Sequence, residues 1–175
     1  MKLLFDATEL SYLKENSGHK AGVYYVAINL LKEFLKMNVD ITLCCDYKRY
    51  YFLKEIKEFK HLKLLKEHSL INKAIGKMLY IFDKAPLRFK YALLILARFY
   101  DAYFYKINKK NLKQLEDFDI YFSPFTPASK EIKVSNLKKY RMLHDVIPII
   151  ENGYPKSPKD WYYKIYSEIN QDEYY

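Results

Sequence analysis

The chain has 175 residues, with 30 lysines and arginines against 21 acidic residues, a net charge of +9, and half of its residues hydrophobic. This length and composition exclude a disordered polymer and favour one domain with its own hydrophobic core. Because the basic surplus is mostly lysine and is spread among acidic residues, specific nucleic-acid binding is disfavoured, whereas an anionic membrane surface or an anionic small molecule remains a compatible partner.

Residues 1–45 predict a strand, a loop, a helix and a second strand. The apolar run KLLFD at 2–6 is typical of a buried strand, and the polar segment 7–22 that follows is typical of a loop. Hydrophobic residues recur at steps of three and four over 23–37, which predicts an amphipathic helix. The run VDITLCC at 39–45 predicts the next strand. This order is that of a βαβ unit with parallel strands.

The middle of the chain, residues 46–116, is mostly helical in pattern and basic. Residues 61–65 form a candidate third strand, and 70–82 have helical spacing. Residues 87–107 predict a long amphipathic helix with a wide apolar face. That face either packs in the core or meets a membrane surface or a partner helix.

Three features bear on the compartment. Cys44 and Cys45 are adjacent and lack the spacing of metal ligands, so we expect buried thiols, a reducing compartment and no structural zinc. The longest apolar region, 91–105, is interrupted by Arg98 and Asp101 and is shorter than the roughly 20 residues that a spanning helix needs. The first residues also lack the apolar centre of a signal peptide. The chain is therefore expected to be soluble or peripheral to a membrane.

The last third of the chain adds two strands and a helix. Residues 118–127 predict a strand followed by a proline-rich loop, and 140–149 predict a second strand followed by another loop. Ser157 is a candidate helix cap and Pro158 suits a first turn, so 157–175 are expected to be helical to the end.

These elements predict an α/β fold, a Rossmann-like parallel sheet of four or five strands flanked by helices, in one domain spanning 1–175. In such sheets, ligands bind beyond the carboxyl ends of the strands. Three segments are expected at that edge, namely 7–22, 123–129 and 144–148.

Four residues in the first two of these segments are candidate ligand contacts. Gly18 and Gly22 lie in a loop that opens a helix, which either presents backbone N–H groups to an anion or is an ordinary turn. Ser123 and Thr126 lie in the sequence SPFTP, which either lines a cleft as a rigid loop or is a turn fixed by its prolines.

His144 and Asp145 interrupt the apolar run MLHDVIPII. The pair is either structural or the edge of a ligand site, where histidine could donate a hydrogen bond to a sugar hydroxyl and aspartate could bind a hydroxyl. Neighbours in an extended chain point to opposite faces, so Asp145 is not expected to grip His144. The chain contains no HExxH, GxSxG or Walker motif, and nothing in it supports a metal site.

Three segments in this order resemble a known family. They are AGVYYVAINLL, DIYFSPFTPAS and YRMLHDVIPIIENGYP. Together they resemble the N-terminal half of GT-B glycosyltransferases of the retaining family 4, and the strand followed by His-Asp-hydrophobic-Ile-Pro is the more specific signature. The resemblance implies a domain that receives the acceptor and faces a second domain, which binds most of the nucleotide-sugar donor, with no metal or other cofactor required.

Site residues are carried over by position. The resemblance places the loop of Gly22 near the donor diphosphate and His144 near the transferred sugar. The candidate catalytic residue is thus His144, and the candidate substrate-binding residues are Gly18, Gly22, Ser123, Thr126 and Asp145.

The resemblance also implies that residues 1–175 are an incomplete GT-B domain without its donor-binding half. We therefore expect the isolated chain to have little or no transferase activity. With a donor-binding chain as partner, it would act on a surface glycan or glycolipid at the cytoplasmic face of the membrane. The alternatives are a non-catalytic Rossmann-like binding module and, least favoured, a basic membrane or nucleic-acid binder.

Overall fold

The computed structural model describes residues 1–11, 22–65, 70–83, 113–125, 128–142 and 173–174. The strands in these ranges are β1 (Lys2–Asp6), β2 (Asp40–Cys44), β3 (Lys63–Leu64), β4 (Ile120–Ser123), β5 (Lys138–Arg141) and β6 (Glu173–Tyr174). The α-helices are α1 (Gly22–Lys36), α2 (Tyr47–Leu53), α3 (Leu70–Asp83) and α4 (Lys130–Lys133), and Thr8–Ser11 and Lys57–Phe59 are 3-10 helices.

The strands form one sheet in the order β3-β2-β1-β4-β5-β6, and every pair is parallel. The chain builds outwards from β1 to β2 and β3, then returns to place β4 against the other side of β1. The strand order therefore reverses between β1 and β4, which is the position where ligands bind in open parallel sheets. The Rossmann-like α/β fold predicted from the sequence is confirmed.

Both faces of β1 are covered, which explains why KLLFD is a continuous apolar run and not an alternating one. On one face, Leu3 and Phe5 pack with residues of α1, including Leu31. On the other, Leu4 packs with Leu115 and with Ile132 of α4. Each of these leucine and phenylalanine side chains stabilises the fold by about 1.5–3 kcal/mol relative to its exposed state.

Helix α1 follows directly from its sequence pattern. Tyr24, Ala27 and Leu31 lie at helical steps and are all buried against the sheet. The helix ends at Lys36, and Asn38 then takes a left-handed conformation with φ of 55°. Asparagine tolerates that conformation better than most residues, so Asn38 turns the chain into β2.

Most of the predicted elements that fall in the described ranges are confirmed. The helices expected at 23–37 and 70–82 are α1 and α3, and the candidate strand at 61–65 contains β3. The long helix expected at 87–107 lies outside the described residues. No helix in the described ranges is both long and apolar enough to cross a membrane.

Two boundaries were predicted wrongly. Strand β5 begins at Lys138, two positions before the predicted start, because Lys138 already pairs with Ile120 of β4. The next residue, Lys139, is buried, and its ammonium group donates to the Ser135 carbonyl at 2.9 Å. The helix expected to reach the C-terminus does not include Glu173–Tyr174, which pair with β5 as β6. By pairing with β5, β6 provides hydrogen-bond partners for the N–H and C=O groups along the outer edge of that strand. A helix at this position would leave those groups unpaired.

Candidate functional site

Four buried polar side chains lie at or next to the carboxyl ends of the central strands, and we call this group the polar edge. Asp6 ends β1, Ser123 ends β4 and Arg141 ends β5. Ser123 pairs with Arg141 in the register of β4 and β5. Phe5 pairs with Phe122 in the register of β1 and β4, so the next residues, Asp6 and Ser123, lie side by side on neighbouring strands. The group is completed by Tyr121, and its members are Asp6 (6% exposed), Tyr121 (2%), Ser123 (0%) and Arg141 (2%).

The Asp6 carboxylate organises the start of the loop after β1. Its Oδ1 accepts from the Thr8 amide at 2.9 Å, and its Oδ2 accepts from the Tyr121 hydroxyl at 2.7 Å. Burial raises the pKa of the Asp6 carboxyl, while hydrogen bonds from Thr8 and Tyr121 and the charge of Arg49 act in the opposite direction. Burial and the nearby Asp6 raise the pKa of Tyr121 well above its usual range, so this hydroxyl remains a proton donor.

Arg141 and Ser123 fix the loop after β4 in a similar way. The Arg141 Nε donates to the Phe125 carbonyl at 3.2 Å, and the Phe125 amide donates to the Ser123 Oγ at 3.3 Å. The Met142 amide donates to the Ser123 carbonyl at 3.0 Å, which extends the contact between β4 and β5 by one residue. The Ser123 and Arg141 side chains therefore hold the backbone of Phe125 in place.

The segment after β2 is fixed by its own ion pair. Asp46 is buried and caps α2, because its Oδ1 accepts from the Arg49 amide at 2.7 Å and its Oδ2 contacts the Arg49 guanidinium. The preceding Cys45 is buried, whereas Cys44 is half-buried, and both are free thiols. Burial raises the pKa of the Cys45 thiol well above its usual range, which is the behaviour of an unreactive core thiol.

The structure places two of the predicted site residues. Gly22 begins α1, and Ser123 ends β4, the strand that neighbours β1. An α-helix N-terminus such as that at Gly22 favours anions through its partial positive charge. The predicted residues Gly18, Thr126, His144 and Asp145 lie outside the described residues.

Sequence reasoning did not select Asp6, Tyr121 or Arg141 as site residues. An acidic residue directly after a buried apolar run was the available signal for Asp6, and an arginine in a strand of a lysine-rich chain was the signal for Arg141. Tyr121 carried no such signal, because it is one of 19 tyrosines.

Among the described residues, no group of three or more His, Cys, Asp or Glu side chains is arranged to hold a metal ion. No protein-family model, curated protein or solved structure matches the chain. The chemistry of the polar edge and the fold that positions it are therefore the structural basis for a functional proposal.

Proposed function

We propose that the chain is the acceptor-side domain of a GT-B glycosyltransferase. Paired with a donor-binding domain, it would help transfer a sugar from a nucleotide-sugar to a surface glycan or glycolipid. The observation that carries the proposal is the reversal of strand order between β1 and β4, with the polar edge at the carboxyl ends of the strands at that position. The sequence resemblance supplies the reaction class.

The polar edge would act as a rigid support for the residues that touch substrate. The bond from Thr8 to Asp6 fixes the start of the 3-10 helix Thr8–Ser11, in the segment between β1 and α1. The bond from Arg141 to the Phe125 carbonyl fixes the residue directly before Thr126. Sites whose supporting side chains are locked in place hold their ligands more precisely.

The residues that contact substrate would have complementary roles. The N-terminus of α1 would favour the donor diphosphate, and His144, which follows Arg141 by three positions, would donate a hydrogen bond to the transferred sugar. Thr126 and Asp145 would bind hydroxyl groups of the substrate. Ser123 would position the loop, since its hydroxyl already accepts from the Phe125 amide.

The net charge of +9 supports a place at an anionic membrane surface, where a glycolipid acceptor would be found. The proposed location is thus the cytoplasm, peripheral to the inner face of the membrane. Vesicle sedimentation with and without anionic lipid tests this part, because electrostatic attachment weakens as salt is added.

A second candidate is a Rossmann-like binding module without transferase activity. It is favoured by the inward orientation of the polar edge, where Asp6 and Ser123 are buried and accept hydrogen bonds from protein groups. Such groups can stabilise a fold without any part in catalysis.

The experiment that separates the two candidates measures transfer of labelled sugar to lipid-linked acceptors by the chain together with its donor-binding domain. His144→Ala is compared with His61→Ala, a matched control because His61 is an exposed histidine in the segment before β3. We expect His144→Ala to lower the rate by about a hundredfold, the usual effect of losing a donor to the reacting group, and His61→Ala to leave it unchanged. Equal rates of sugar transfer for the two variants would mean that His144 has a structural role. Absence of transfer with every donor would favour the binding module.

A further inference from the structure

A second concave site lies away from the polar edge, along the outer strands β2 and β3. It is an open cleft of about 710 Å³ lined by residues of β2, β3, α2 and α3 and by Gln114, Asp117 and Phe118. We call it the tyrosine cleft, and the side chains that characterise it are Tyr47, Tyr50, Tyr51, Lys63, Lys73 and Asp117. A volume of roughly 300–1,000 Å³ is typical of sites for small organic ligands.

The aromatic wall of the cleft is held together by contacts among its rings. The half-buried ring of Tyr51 lies 6.4 Å from that of Tyr47, 6.0 Å from that of Tyr50 and 5.6 Å from that of Tyr80. These are favourable separations for aromatic pairs. Tyr80 also contacts Phe52 at 5.0 Å between ring centroids, so α2 and α3 are locked together behind the wall. The wall therefore exists before any ligand binds.

The charged groups of the cleft favour an anion. Lys63 lines it from β3 and Lys73 from α3, both as exposed side chains, and Asp117 is the one carboxylate among its described lining residues. Within the described part of the chain, neither ammonium group forms an ion pair. Two ammonium groups that line one cleft from different elements can both pair with a phosphate, whereas the Asp117 carboxylate offsets only part of their charge.

We propose that the tyrosine cleft binds a nucleoside phosphate, with the base against Tyr51 and the phosphate between Lys63 and Lys73. Stacking of a base on an aromatic side chain contributes about 1–3 kcal/mol and tolerates any base, so the site selects the class of ligand rather than one nucleotide. This site does not depend on the proposed transferase, since it lies along β2 and β3 whereas the transferase site lies above β1, β4 and β5.

Isothermal titration calorimetry of the whole chain tests the proposal, with uridine and adenosine 5′-monophosphates, ribose 5-phosphate and inorganic phosphate as probes. We expect both nucleotides to bind about tenfold more tightly than ribose 5-phosphate, because only they carry a base that can stack. Lys63→Ala/Lys73→Ala should weaken nucleotide binding at least tenfold and reduce its salt dependence. The matched control is Lys57→Ala/Lys77→Ala, which removes the same charge from exposed positions that do not line the cleft.

A second pair of variants tests the ring. Tyr51→Leu should bring nucleotide affinity down to that of ribose 5-phosphate, whereas Tyr51→Phe, which keeps the ring, should preserve it. Nucleotide binding that is no tighter than that of inorganic phosphate, or that is unaffected by Lys63→Ala/Lys73→Ala, overturns the proposal. Failure of the proposed transferase has a different signature, because sugar transfer is then absent with every donor, whatever the cleft binds.

Discussion

The polar edge and the tyrosine cleft use polar side chains in opposite ways. At the polar edge, Asp6 and Arg141 are buried and their hydrogen bonds go to other groups of the protein. In the cleft, Lys63 and Lys73 are exposed and border an open volume. A buried polar group is costly unless it is paired, so the first set is bound to the stability of the fold. The exposed lysines of the cleft can bind a ligand without being needed for the stability of the fold. We therefore expect substitutions at the polar edge to lower the free energy of unfolding more than substitutions in the cleft.

The largest effect is expected for Asp6→Ala, which leaves the buried Tyr121 hydroxyl and the Thr8 amide without their acceptor. We expect the free energy of unfolding to fall by about 3 kcal/mol, the combined cost of a lost charged hydrogen bond and of stranded donors. Urea denaturation of the whole chain measures it. Asp40→Ala, at the exposed first position of β2, is the control and should change stability by less than about 0.5 kcal/mol. Similar values for the two variants would show that Asp6 is not a structural centre.

Arg141→Leu should have the next largest effect, about 2 kcal/mol, because it removes the donor to the Phe125 carbonyl while keeping an apolar stem. We also expect the segment that follows β4 to become more sensitive to limited proteolysis, since this bond ties it to β5. Lys138→Leu, on the same strand but exposed, is the matched control. If both variants are cleaved at the same rate, the loop is held by other contacts.

The pH dependence of stability should reveal the burial of Asp6. Because its pKa is raised in the folded state, folding favours its protonated form, and this contribution is fully present below the ordinary value of 3.8. It is lost as the pH rises through the folded pKa, at no more than about 1.4 kcal/mol per pH unit. We expect the stability difference between wild type and Asp6→Asn to decrease as the pH rises above this ordinary value. A difference that increases with pH would mean that the folded pKa is lowered.

The smallest effect on stability is expected for Lys63→Ala/Lys73→Ala. Both side chains are exposed, so the free energy of unfolding should change by less than about 0.5 kcal/mol, even though nucleotide binding is expected to weaken. Urea denaturation beside calorimetric titration of the same sample measures both quantities. A large loss of stability would mean that these lysines, like the residues of the polar edge, are needed for the fold. The two regions would then not differ in this respect.

Local patterns predicted most of the described fold because hydrophobic burial leaves a direct trace in the sequence. The spacing of Ala27, Leu31 and Phe34 predicted α1, and the apolar run at 2–6 predicted the buried strand β1. Burial of a lysine leaves no such trace, which is why the start of β5 at Lys138 was missed. The pairing of Glu173–Tyr174 was missed because an edge strand of two residues has no period of its own.

By itself, the sequence determined the α/β class and the parallel βαβ order, because these depend on residue type and spacing along the chain. The tertiary structure decided which polar groups meet. Tyr121 lies 115 positions from Asp6, and the two come into hydrogen-bond contact because β4 returns to pair with β1 in one particular register. The tyrosine cleft has the same origin, since its walls come from separate segments of the chain. The spacing of hydrophobic residues indicates which face of a strand or helix is buried. Strand register and helix packing determine which side chains come into contact.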